Sequence, residues 1–427
     1  MAQSTSLLRP KFLFSLAFAL LFTPIPTKLG FWKFVFHSLD PALVGIFPCT
    51  VPSPEDWGFT FEDLYGGGNG DGDGSPSQRE QRAYRNRLWG QTALVTGANS
   101  GTGYEIALAL ARLGVRVTLA CRNPTKCEAA VERIKSDPIF LERSKNDRGI
   151  WYDGYDDKQD DGKDVDPYVT SMTVDTSSLK SVQTFCEDFL EKMQGVPLDM
   201  LFLNAGIGAI PQLPDGTNKL SVDGIELTFA TNVVGHHLMY KLLTRAILTH
   251  QRKVPARIVL TSSSASYGDY IALDLDSLNN DPIDGMSHYG MSKLAQIWWA
   301  RELTSQFDKD ATSDDPNSVV YINAGHPGAA ATNIWDNIIN PTSSFGKAFL
   351  KYVKSYMWTS EEGALTLLYL GTAVEDLQQK KIRGKYFHPQ TYEVTEHKHV
   401  YANEEETLVR QKKLWKLLDD LVAGYLA

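Results

Sequence analysis

The chain has 427 residues, a length that could hold two or three domains but does not require more than one. Hydrophobic residues make up 43% of the chain and charged residues 22%, which is typical of a globular protein that buries a sizeable core. The formal net charge of -9 argues against nucleic acid as a partner, because nucleic-acid binding needs a basic face.

The cysteines are too few and too scattered for a disulfide framework. None of them belongs to a C-x-x-C pair, and no Cys/His cluster has the spacing of zinc ligands, so we predict no metal site. We expect free thiols, as in a reducing compartment. The cysteines are Cys49, Cys121, Cys127 and Cys186.

The N-terminal hydrophobic segment, residues 1–40, is predicted to direct the protein to a membrane or to anchor it there. The first 39 residues contain no Asp or Glu, and the apolar run Phe12–Phe22 follows Arg9 and Lys11. That run is too short to span a bilayer, which takes roughly 20 residues, but its layout is typical of a secretory signal or signal-anchor. A transit peptide and an element packed on the domain are the alternatives. We expect membrane association at the endoplasmic reticulum, with a plastid or another organelle as the alternative.

Two polar segments are interpreted as lying outside the core. Residues 41–87 are predicted to be a linker, because they include the Gly- and Asp-rich run Gly66–Ser77. That run lacks the closing Glu of an EF-hand and is not interpreted as a calcium site. The segment Ser144–Asp166 holds eight aspartates and is predicted to be a solvated surface insertion.

Between these segments short β-rich runs alternate with helical stretches, which is the pattern of βαβ units. The runs lack strict alternation of polar and apolar residues, as expected for strands covered on both faces. Six or seven strands with right-handed crossovers predict an α/β fold with one doubly wound parallel sheet of the Rossmann type, in a single domain over residues 88–427. The predicted strands are Thr92–Thr96, Arg116–Ala120, Val169–Asp175, Met200–Asn204, Arg257–Ser262, Val319–Ala324 and Lys385–His388.

The first predicted strand runs directly into a glycine-rich loop, and a helix is predicted to follow. Glycines let the backbone turn tightly and approach a pyrophosphate at a helix N-terminus, where free N–H groups and the helix dipole favour anions. The alternative is a plain glycine turn, but the strand before, the helix after and the next strand about 20 residues on favour a dinucleotide site. The expected cofactor contacts in the loop are Gly97, Asn99, Ser100, Gly101 and Gly103.

Arg122 follows the second predicted strand, at the point where an acidic residue would bind the adenosine ribose and favour NAD. A guanidinium can instead pair with a 2′-phosphate. NADP is therefore the expected cofactor and NAD the less favoured one, unless Arg122 merely faces solvent. Asp175 and the run Asn204, Ala205 and Gly206 follow later strands, where the adenine and nicotinamide-ribose edges are expected.

Tyr289 and Lys293 are four residues apart and share one face of a predicted helix. A tyrosine with a pKa near 10 is a poor base, but a neighbouring ammonium lowers that pKa and makes a usable general acid or base. Chance supplies such a pair easily. Its position after the fifth predicted strand and the serine run 262–264 is what favours a catalytic pair.

Together these motifs resemble the short-chain dehydrogenase/reductase family. The resemblance covers residues 88–424, with the motifs in the family's order. It is most similar to the retinol dehydrogenase and WW-domain oxidoreductase group, through Ala120–Asn123, Thr231–His236 and Tyr289–Ala295. Thr102 and Leu203 depart from the family pattern without removing a proposed catalytic group. The motifs are Thr96–Gly103, Asn204–Gly206, Ser263, Tyr289–Lys293 and His326-Pro327-Gly328 followed by Thr332.

The resemblance implies a catalytic tetrad of Asn232, Ser263, Tyr289 and Lys293. Ser263 would donate to the substrate oxygen and Tyr289 would transfer the proton. Lys293 would bind the nicotinamide ribose and lower the Tyr289 pKa, and Asn232 would hold a water that links Lys293 to solvent. The rivals of Ser263 are its neighbours Ser262 and Ser264. The cofactor contacts implied at this end of the molecule are Tyr289, Lys293, Pro327, Gly328 and Thr332.

The expected function is reversible, NADP-dependent hydride transfer on an alcohol or carbonyl. A lipophilic substrate, retinoid- or steroid-like, is expected from the N-terminal segment, the resemblance and the apolar residues after Thr332. The resemblance also makes a homodimer an expectation. The alternative is a catalytically silent nucleotide-binding regulatory protein on the same fold, which the loss of a tetrad residue would favour. The histidines near these motifs, His236, His237, His288 and His326, are interpreted as structural.

Overall fold

The computed structural model describes residues 59–60, 63–64, 88–146, 168–248, 254–310, 319–328 and 357–426. The predicted N-terminal segment, most of the predicted linker, residues 147–166 of the predicted insertion, and Thr332 with the apolar region after it lie outside the described residues. The proposed domain boundaries stay predictions. Two residues from the range predicted as linker, Phe59 and Leu64, are buried in the core.

The described strands form one sheet in the order β3-β2-β1-β4-β5-β6-β7-β8. Strands β1 to β7 pair in parallel, and the order of the first six is that of the dinucleotide-binding fold, so the predicted doubly wound parallel sheet is confirmed. The strands are β1 (Thr92–Thr96), β2 (Arg116–Cys121), β3 (Val169–Thr173), β4 (Met200–Leu203), β5 (Ala256–Thr261), β6 (Val320–Gly325), β7 (Tyr386–His388) and β8 (Tyr392–Glu393).

The sequence-based prediction of six or seven strands was one strand short. The additional strand, β8, pairs antiparallel with β7 and forms an edge of the sheet. A strand of two residues is too short to produce a hydrophobic period, and only its pairing with β7 defines it. Of the seven predicted strands, only β1 has its predicted bounds, and the other six differ at one or both ends by one or two residues. The largest difference is in β3, which ends at Thr173 instead of Asp175.

Helices cover both faces of the sheet, and each face has its own hydrophobic core. On one face α4, α5, α7 and α10 pack on the strands, and on the other face α1, α2, α3, α8 and α9 do so. The helices are α1 (Gly101–Arg112), α2 (Pro124–Lys135), α3 (Pro138–Asn146), α4 (Leu179–Met193), α5 (Gly235–Ile247), α6 (Leu275–Asn280), α7 (Gly285–Asp310), α8 (Ser360–Thr372), α9 (Val374–Gln379) and α10 (Glu404–Val422).

Local sequence sets where several of these helices begin. The side chain of Asn123 caps α2 by accepting a hydrogen bond from the Lys126 N–H, and Pro124 occupies the first helical position, where its missing N–H costs nothing. Thr359 and Glu362 form a reciprocal capping box at the start of α8. None of the described helices is both long and apolar enough to cross a membrane.

The disulfide between Cys121 and Cys127 shows that the expectation of free thiols was wrong. Cys121 ends β2 and Cys127 lies in the first turn of α2, and the reversal between strand and helix brings their Cα atoms to 5.8 Å. The six-residue spacing of the two cysteines does not predict the disulfide, because their pairing depends on how the chain turns between the strand and the helix. Cys186 is the free cysteine of the described residues, and it is buried.

The C-terminal helix α10 docks through a buried aromatic cluster. The Trp415 ring packs 5.0 Å from His237 and 5.8 Å from Trp299, measured between ring centroids. The Trp299 indole N–H donates to His237 Nδ1 at 2.9 Å, so the other ring nitrogen of His237 carries the proton and donates to Asp419. Burial lowers the pKa of His237 although Asp419 opposes this shift. His237 thus serves to hold α10 against α5 and α7.

Trp415→Ala should lower the free energy of unfolding by about 3–5 kcal/mol, because it removes a large buried ring from this cluster. Urea unfolding followed by circular dichroism measures the loss. Lys416→Ala is the matched control, since the neighbouring Lys416 side chain is 75% exposed and its surface ion pair is worth about 1 kcal/mol or less. Equal losses in the two variants would contradict the packing role of Trp415.

Candidate active site

The glycine-rich loop after β1 packs against the turn that follows β4. Gly97 has a φ of +68°, and a Cβ on it would lie 2.9 Å from the Cα of Ala205. A Cβ on Gly103 would overlap the side-chain amide of Asn204 and the carbonyl of Gly97. Side chains at these two positions would therefore separate the loop from the turn. The glycines bring the N-terminus of α1 to the carboxyl ends of β1 and β4.

The N-terminus of α1 retains the donors that an anion needs. Ser100 occupies the N-cap position with extended backbone but makes no side-chain capping hydrogen bond. Asn99 is half-buried beside the exposed Ser100, and Gly101 begins the helix with a φ of +59°. The first turn of a helix has N–H groups without partners in the helix, and here no cap side chain engages them. This end of the helix fits a phosphate group.

Thr96 joins this loop to the opposite side of the site, a role that the sequence did not indicate. Its buried hydroxyl accepts hydrogen bonds from the backbone N–H groups of Asn204 and Ala205, each at 2.9 Å, and lies 3.1 Å from His236 Nε2. His236 Nδ1 lies 3.1 Å from the carbonyl oxygen of Asn232, which only accepts, so Nδ1 carries the proton. Burial lowers the pKa of His236 to about 3, which keeps the ring neutral.

The two residues expected near adenine lie at the carboxyl ends of β2 and β3. Arg122 follows β2 directly and its side chain is exposed. Asp175 is half-buried, and one of its carboxylate oxygens accepts from both the N–H and the hydroxyl of Ser177, at 2.9 and 2.6 Å. The Asp175 carboxylate is therefore already engaged in the turn that leads into α4. Arg122 has no hydrogen bond or ion pair to the residues that the structure describes.

Asn232 lies in a single turn of π-helix, residues Ala230–Val234, that leads into α5. Its side-chain oxygen accepts from the Ile207 N–H at 2.9 Å, and its side-chain nitrogen donates to the Ile207 carbonyl at 3.1 Å and to the Ser292 hydroxyl at 3.0 Å. π-Helical turns inside α-helices occur frequently at functional sites. The amide of Asn232 is thereby fixed between the loop after β4 and α7.

The structure distinguishes the three serines that follow β5. Ser262 is buried, and its hydroxyl donates to the backbone carbonyl of Lys293 at 2.7 Å. Ser263 is half-buried, and its hydroxyl is the group that acts to lower the pKa of the Tyr289 phenol. It also caps the short 3₁₀ helix Ser264–Tyr267. Of the three hydroxyls, that of Ser263 is the one placed against Tyr289.

Tyr289 and Lys293 lie one turn apart on α7, with the Lys293 ammonium 5.5 Å from the centre of the Tyr289 ring. The ammonium donates to the Thr261 carbonyl at 2.7 Å and to the Gln296 side-chain oxygen at 3.2 Å. Burial lowers the pKa of Lys293 to about 7. Burial also raises the pKa of Tyr289, and the hydrogen bond from Ser263 only partly opposes this rise. The expected lowering of the Tyr289 pKa by Lys293 is thus not what this structure shows.

The segment after β6 borders the same region. Gly328 has a φ of +76° and its N–H donates to His326 Nδ1 at 3.2 Å across Pro327. His326 is buried, and burial holds its pKa well below the ordinary value. Thr332, the remaining predicted cofactor contact, lies outside the described residues.

Gly206 shows how closely the chemical groups approach one another. A Cβ on Gly206 would lie 3.1 Å from the Asn232 side-chain oxygen and 3.5 Å from the Lys293 ammonium. The run Asn204–Gly206 therefore borders the glycine-rich loop on one side and the Asn232 and Lys293 side chains on the other. Together with the effect of Ser263 on Tyr289, this places the four residues of the expected tetrad at the carboxyl end of the sheet.

Comparisons with known proteins point to one family. A family model described as short chain dehydrogenase matches residues 91–144 and 159–343. Retinol dehydrogenase 14 of Homo sapiens is 31% identical over 303 residues, which cover 70% of this chain and 78% of that protein. Polyprenol dehydrogenase of Danio rerio is 31% identical over 287 residues, 67% of this chain and 75% of that protein. Short-chain dehydrogenase TIC 32 A, chloroplastic, of Brassica napus is 32% identical over 302 residues, 69% of this chain and 79% of that protein.

A solved structure of an uncharacterized protein from Mycobacterium Paratuberculosis has the same fold. It superposes with a TM-score of 0.52 at 23% identity, and the match covers 79% of this chain and 94% of that one.

The buried ammonium of Lys293 should make stability depend on pH. Its pKa is about 7 in the folded chain and about 10.4 in an unfolded chain. Between these values the unfolded chain binds more protons, so stability rises with pH, and the cost of burial is fully present below about pH 7. Between about pH 6.5 and about pH 9.5, the unfolding free energy of the wild-type chain should therefore rise by about 3 kcal/mol more than that of Lys293→Met.

Urea unfolding at the two pH values measures this difference. The loss of the hydrogen bonds to Thr261 and Gln296 lowers the stability of the variant at both pH values and therefore cancels in the comparison. Lys219→Met is the matched control, because Lys219 is exposed and its replacement should leave the pH dependence intact. A pH dependence in Lys293→Met as steep as that of the wild-type chain would contradict the burial of the ammonium.

Proposed function

The chain belongs to the short-chain dehydrogenase family and is an NAD(P)-dependent oxidoreductase that acts on CH–OH and C=O groups, and we propose that its cofactor is NADP(H) and its substrate a lipophilic alcohol or carbonyl. One observation carries this proposal: Tyr289 and Lys293 lie one turn apart on α7, Ser263 acts on the Tyr289 phenol, and the Lys293 ammonium lies close to Gly206, next to the glycine-rich loop.

The residues present fit a dinucleotide. Gly97 and Gly103 leave a space that side chains would fill, and the N-terminus of α1 keeps N–H groups that the Ser100 side chain does not cap. In this proposal Gly97, Asn99, Ser100, Gly101 and Gly103 hold the pyrophosphate. The remaining proposed contacts are Arg122, Asp175, Asn204, Ala205, Gly206, Tyr289, Lys293, Pro327, Gly328 and Thr332. When bound, the nicotinamide ring supplies or accepts the hydride.

We assign the proton chemistry to Ser263 and Tyr289. The raised pKa of Tyr289 keeps its phenol protonated at neutral pH, ready to donate to a carbonyl oxygen while the Ser263 hydroxyl stabilises charge on that oxygen. In the opposite direction the same phenol oxygen must lose its proton first. Lys293, with a pKa of about 7, exchanges protons readily at neutral pH and lies one helical turn away. Asn232 is the group that positions a water beside Lys293.

The preference for NADP is assigned to Arg122. The guanidinium is exposed at the end of β2 and makes no hydrogen bond or ion pair to the described residues, so it is available to a 2′-phosphate. The strand that carries it is fixed to the cofactor loop, because the Ala120 carbonyl accepts from the Gly97 N–H at 2.7 Å.

The lipophilic substrate is supported by two relatives whose names specify lipophilic alcohols, a retinol dehydrogenase and a polyprenol dehydrogenase. We propose that the N-terminal segment, residues 1–40, associates with an organelle membrane, at the endoplasmic reticulum or at a plastid. The acid-poor, apolar sequence of this segment and the chloroplastic relative support this location. The expected homodimer stays a prediction. A catalytically silent regulatory protein is not favoured, because the chain matches dehydrogenases across most of its length.

Tyr289→Phe should lower the rate of carbonyl reduction by about 10² to 10⁴, because it removes the group that donates the proton. The measurement is turnover with NADPH on a panel of retinoid, steroid and simple aldehyde or ketone substrates. Tyr392→Phe is the matched control, since that tyrosine is exposed on β8. Full activity of Tyr289→Phe on every substrate that the wild-type protein reduces would refute the assignment.

Arg122→Asp should reverse the cofactor preference. Loss of a charge-assisted hydrogen bond to the 2′-phosphate, worth about 1.5–3 kcal/mol, should weaken NADP⁺ binding by about 10- to 100-fold, while an acid at this place can accept from the ribose hydroxyls of NAD⁺. Isothermal titration with NADP⁺ and NAD⁺ measures both affinities. Arg245→Asp, at an exposed arginine on α5, controls for the change in net charge. An unchanged ratio of the two affinities in Arg122→Asp would remove the basis for NADP.

A further inference from the structure

The Cys121–Cys127 disulfide closes the turn that carries Arg122. Cys121 is the last residue of β2, Cys127 is the fourth residue of α2, and both are buried. The five residues between them, 122–126, are all exposed. We propose that this disulfide is a reversible redox modification site that sets the affinity for the 2′-phosphate of NADP(H). This inference rests on the proposed function in one respect, the assignment of Arg122 to that phosphate.

The hydrogen bonds described within the turn are local. The Asn123 side chain accepts from the Lys126 N–H at 2.9 Å, and the Asn123 carbonyl accepts from the Cys127 N–H at 3.0 Å. These bonds start the helix but do not hold Arg122 against the sheet. The disulfide is the covalent link that closes the turn from strand to helix. It therefore limits the positions that the backbone of Arg122 can take.

The same strand end is tied to the cofactor loop. The Gly97 N–H donates to the Ala120 carbonyl at 2.7 Å, and the Val174 N–H donates to the Cys121 carbonyl at 3.0 Å. One residue, Cys121, separates the Ala120 anchor from Arg122 in the chain. While the disulfide is closed, the backbone of Arg122 is held at a fixed position relative to the glycine-rich loop. Pre-positioning of this kind raises affinity by lowering the ordering cost of binding.

Cys121 and Cys127 are each 1% exposed, so a reductant attacks the disulfide when the turn opens locally. Cys127 lines a cavity of about 600 Å³ between α2, β3 and α4, a size that accommodates a small thiol. The cavity wall carries three carboxylates, Glu128, Asp188 and Glu191, against one ammonium, Lys192, so we expect uncharged dithiols to enter more readily than anionic thiols. Cys186 differs from this pair, because it forms no disulfide with the cysteines that the structure describes, and burial raises the pKa of its thiol.

Reduction of the Cys121–Cys127 disulfide takes two thiol–disulfide exchange steps. A dithiol reductant attacks the Cys127 sulfur as its thiolate, the sulfur–sulfur bond breaks, and Cys121 leaves as a thiolate that takes up a proton. The second thiol of the reductant then displaces Cys127 and closes a disulfide within the reductant. Two electrons and two protons pass to the cysteines in total. The reverse reaction uses a small-molecule or protein disulfide as the oxidant.

The test compares nucleotide binding by the full-length protein in its oxidised and dithiothreitol-reduced states, with mass spectrometry after alkylation to count free thiols. Reduction should weaken NADP⁺ binding by about threefold to tenfold and change NAD⁺ binding by less than about twofold. Cys127→Ser should bind like the reduced protein and respond no further to the reductant. Cys186→Ala should keep the full response.

Three results would overturn the proposal: free Cys121 and Cys127 in the air-oxidised protein, unchanged NADP⁺ affinity after complete reduction, or equal weakening of NADP⁺ and NAD⁺. The last would indicate a general loosening of the fold. Reduction of the wild-type chain gives the answer even if Cys127→Ser does not fold. Arg122→Asp separates the two proposals. If it leaves NADP⁺ binding intact, the cofactor assignment fails, and if it weakens binding while reduction does not, only the redox proposal fails.

Discussion

The hydroxyl of Thr96 is the contact on which the arrangement of this site depends. It accepts from the backbone of Asn204 and Ala205, which holds the glycine-rich loop to the turn after β4, and it lies against His236, whose other nitrogen donates to the Asn232 carbonyl. One buried oxygen thus connects the loop that fits a pyrophosphate with the segment that positions the expected tetrad. Because the neutral His236 ring joins these parts, their separation is set by hydrogen-bond lengths within a close-packed interior.

Burial of Lys293, a residue of the expected tetrad, lowers the stability of the folded chain. Lys293 is almost wholly buried, and its ammonium is satisfied by one backbone carbonyl and one amide oxygen without an ionic partner among the described residues. Desolvation of that charge lowers its pKa to about 7, and the same burial raises the pKa of Tyr289. The proton affinities of the two groups therefore lie farther apart than those of free tyrosine and lysine, whose pKa values are about 10 and about 10.4. At neutral pH the Tyr289 phenol keeps its proton, and Lys293 is the group of the two that gains and loses one.

The turn after β2 combines a covalent constraint with an exposed arginine, the proposed ligand of a 2′-phosphate. Arg122 gains nothing from burial, and the proposed contact depends on where the backbone holds its side chain. The Cys121–Cys127 disulfide and the capping of α2 by Asn123 supply that constraint at the edge of the cofactor site. The sequence alone indicated Arg122 as a phosphate ligand, whereas the disulfide that constrains its turn depends on the fold.

Features that depend on near neighbours in the chain were determined by the sequence. Strand and helix periods, the glycine-rich loop and the spacing of Tyr289 and Lys293 are local features. They were sufficient to predict the doubly wound sheet and the family. The short edge strand β8, the disulfide, the contact of Ser263 with Tyr289, and the direction of the Tyr289 and Lys293 pKa shifts were decided by the tertiary structure. The physical reason is that burial and long-range pairing set hydration and partner geometry, and neither can be read from residues adjacent in sequence.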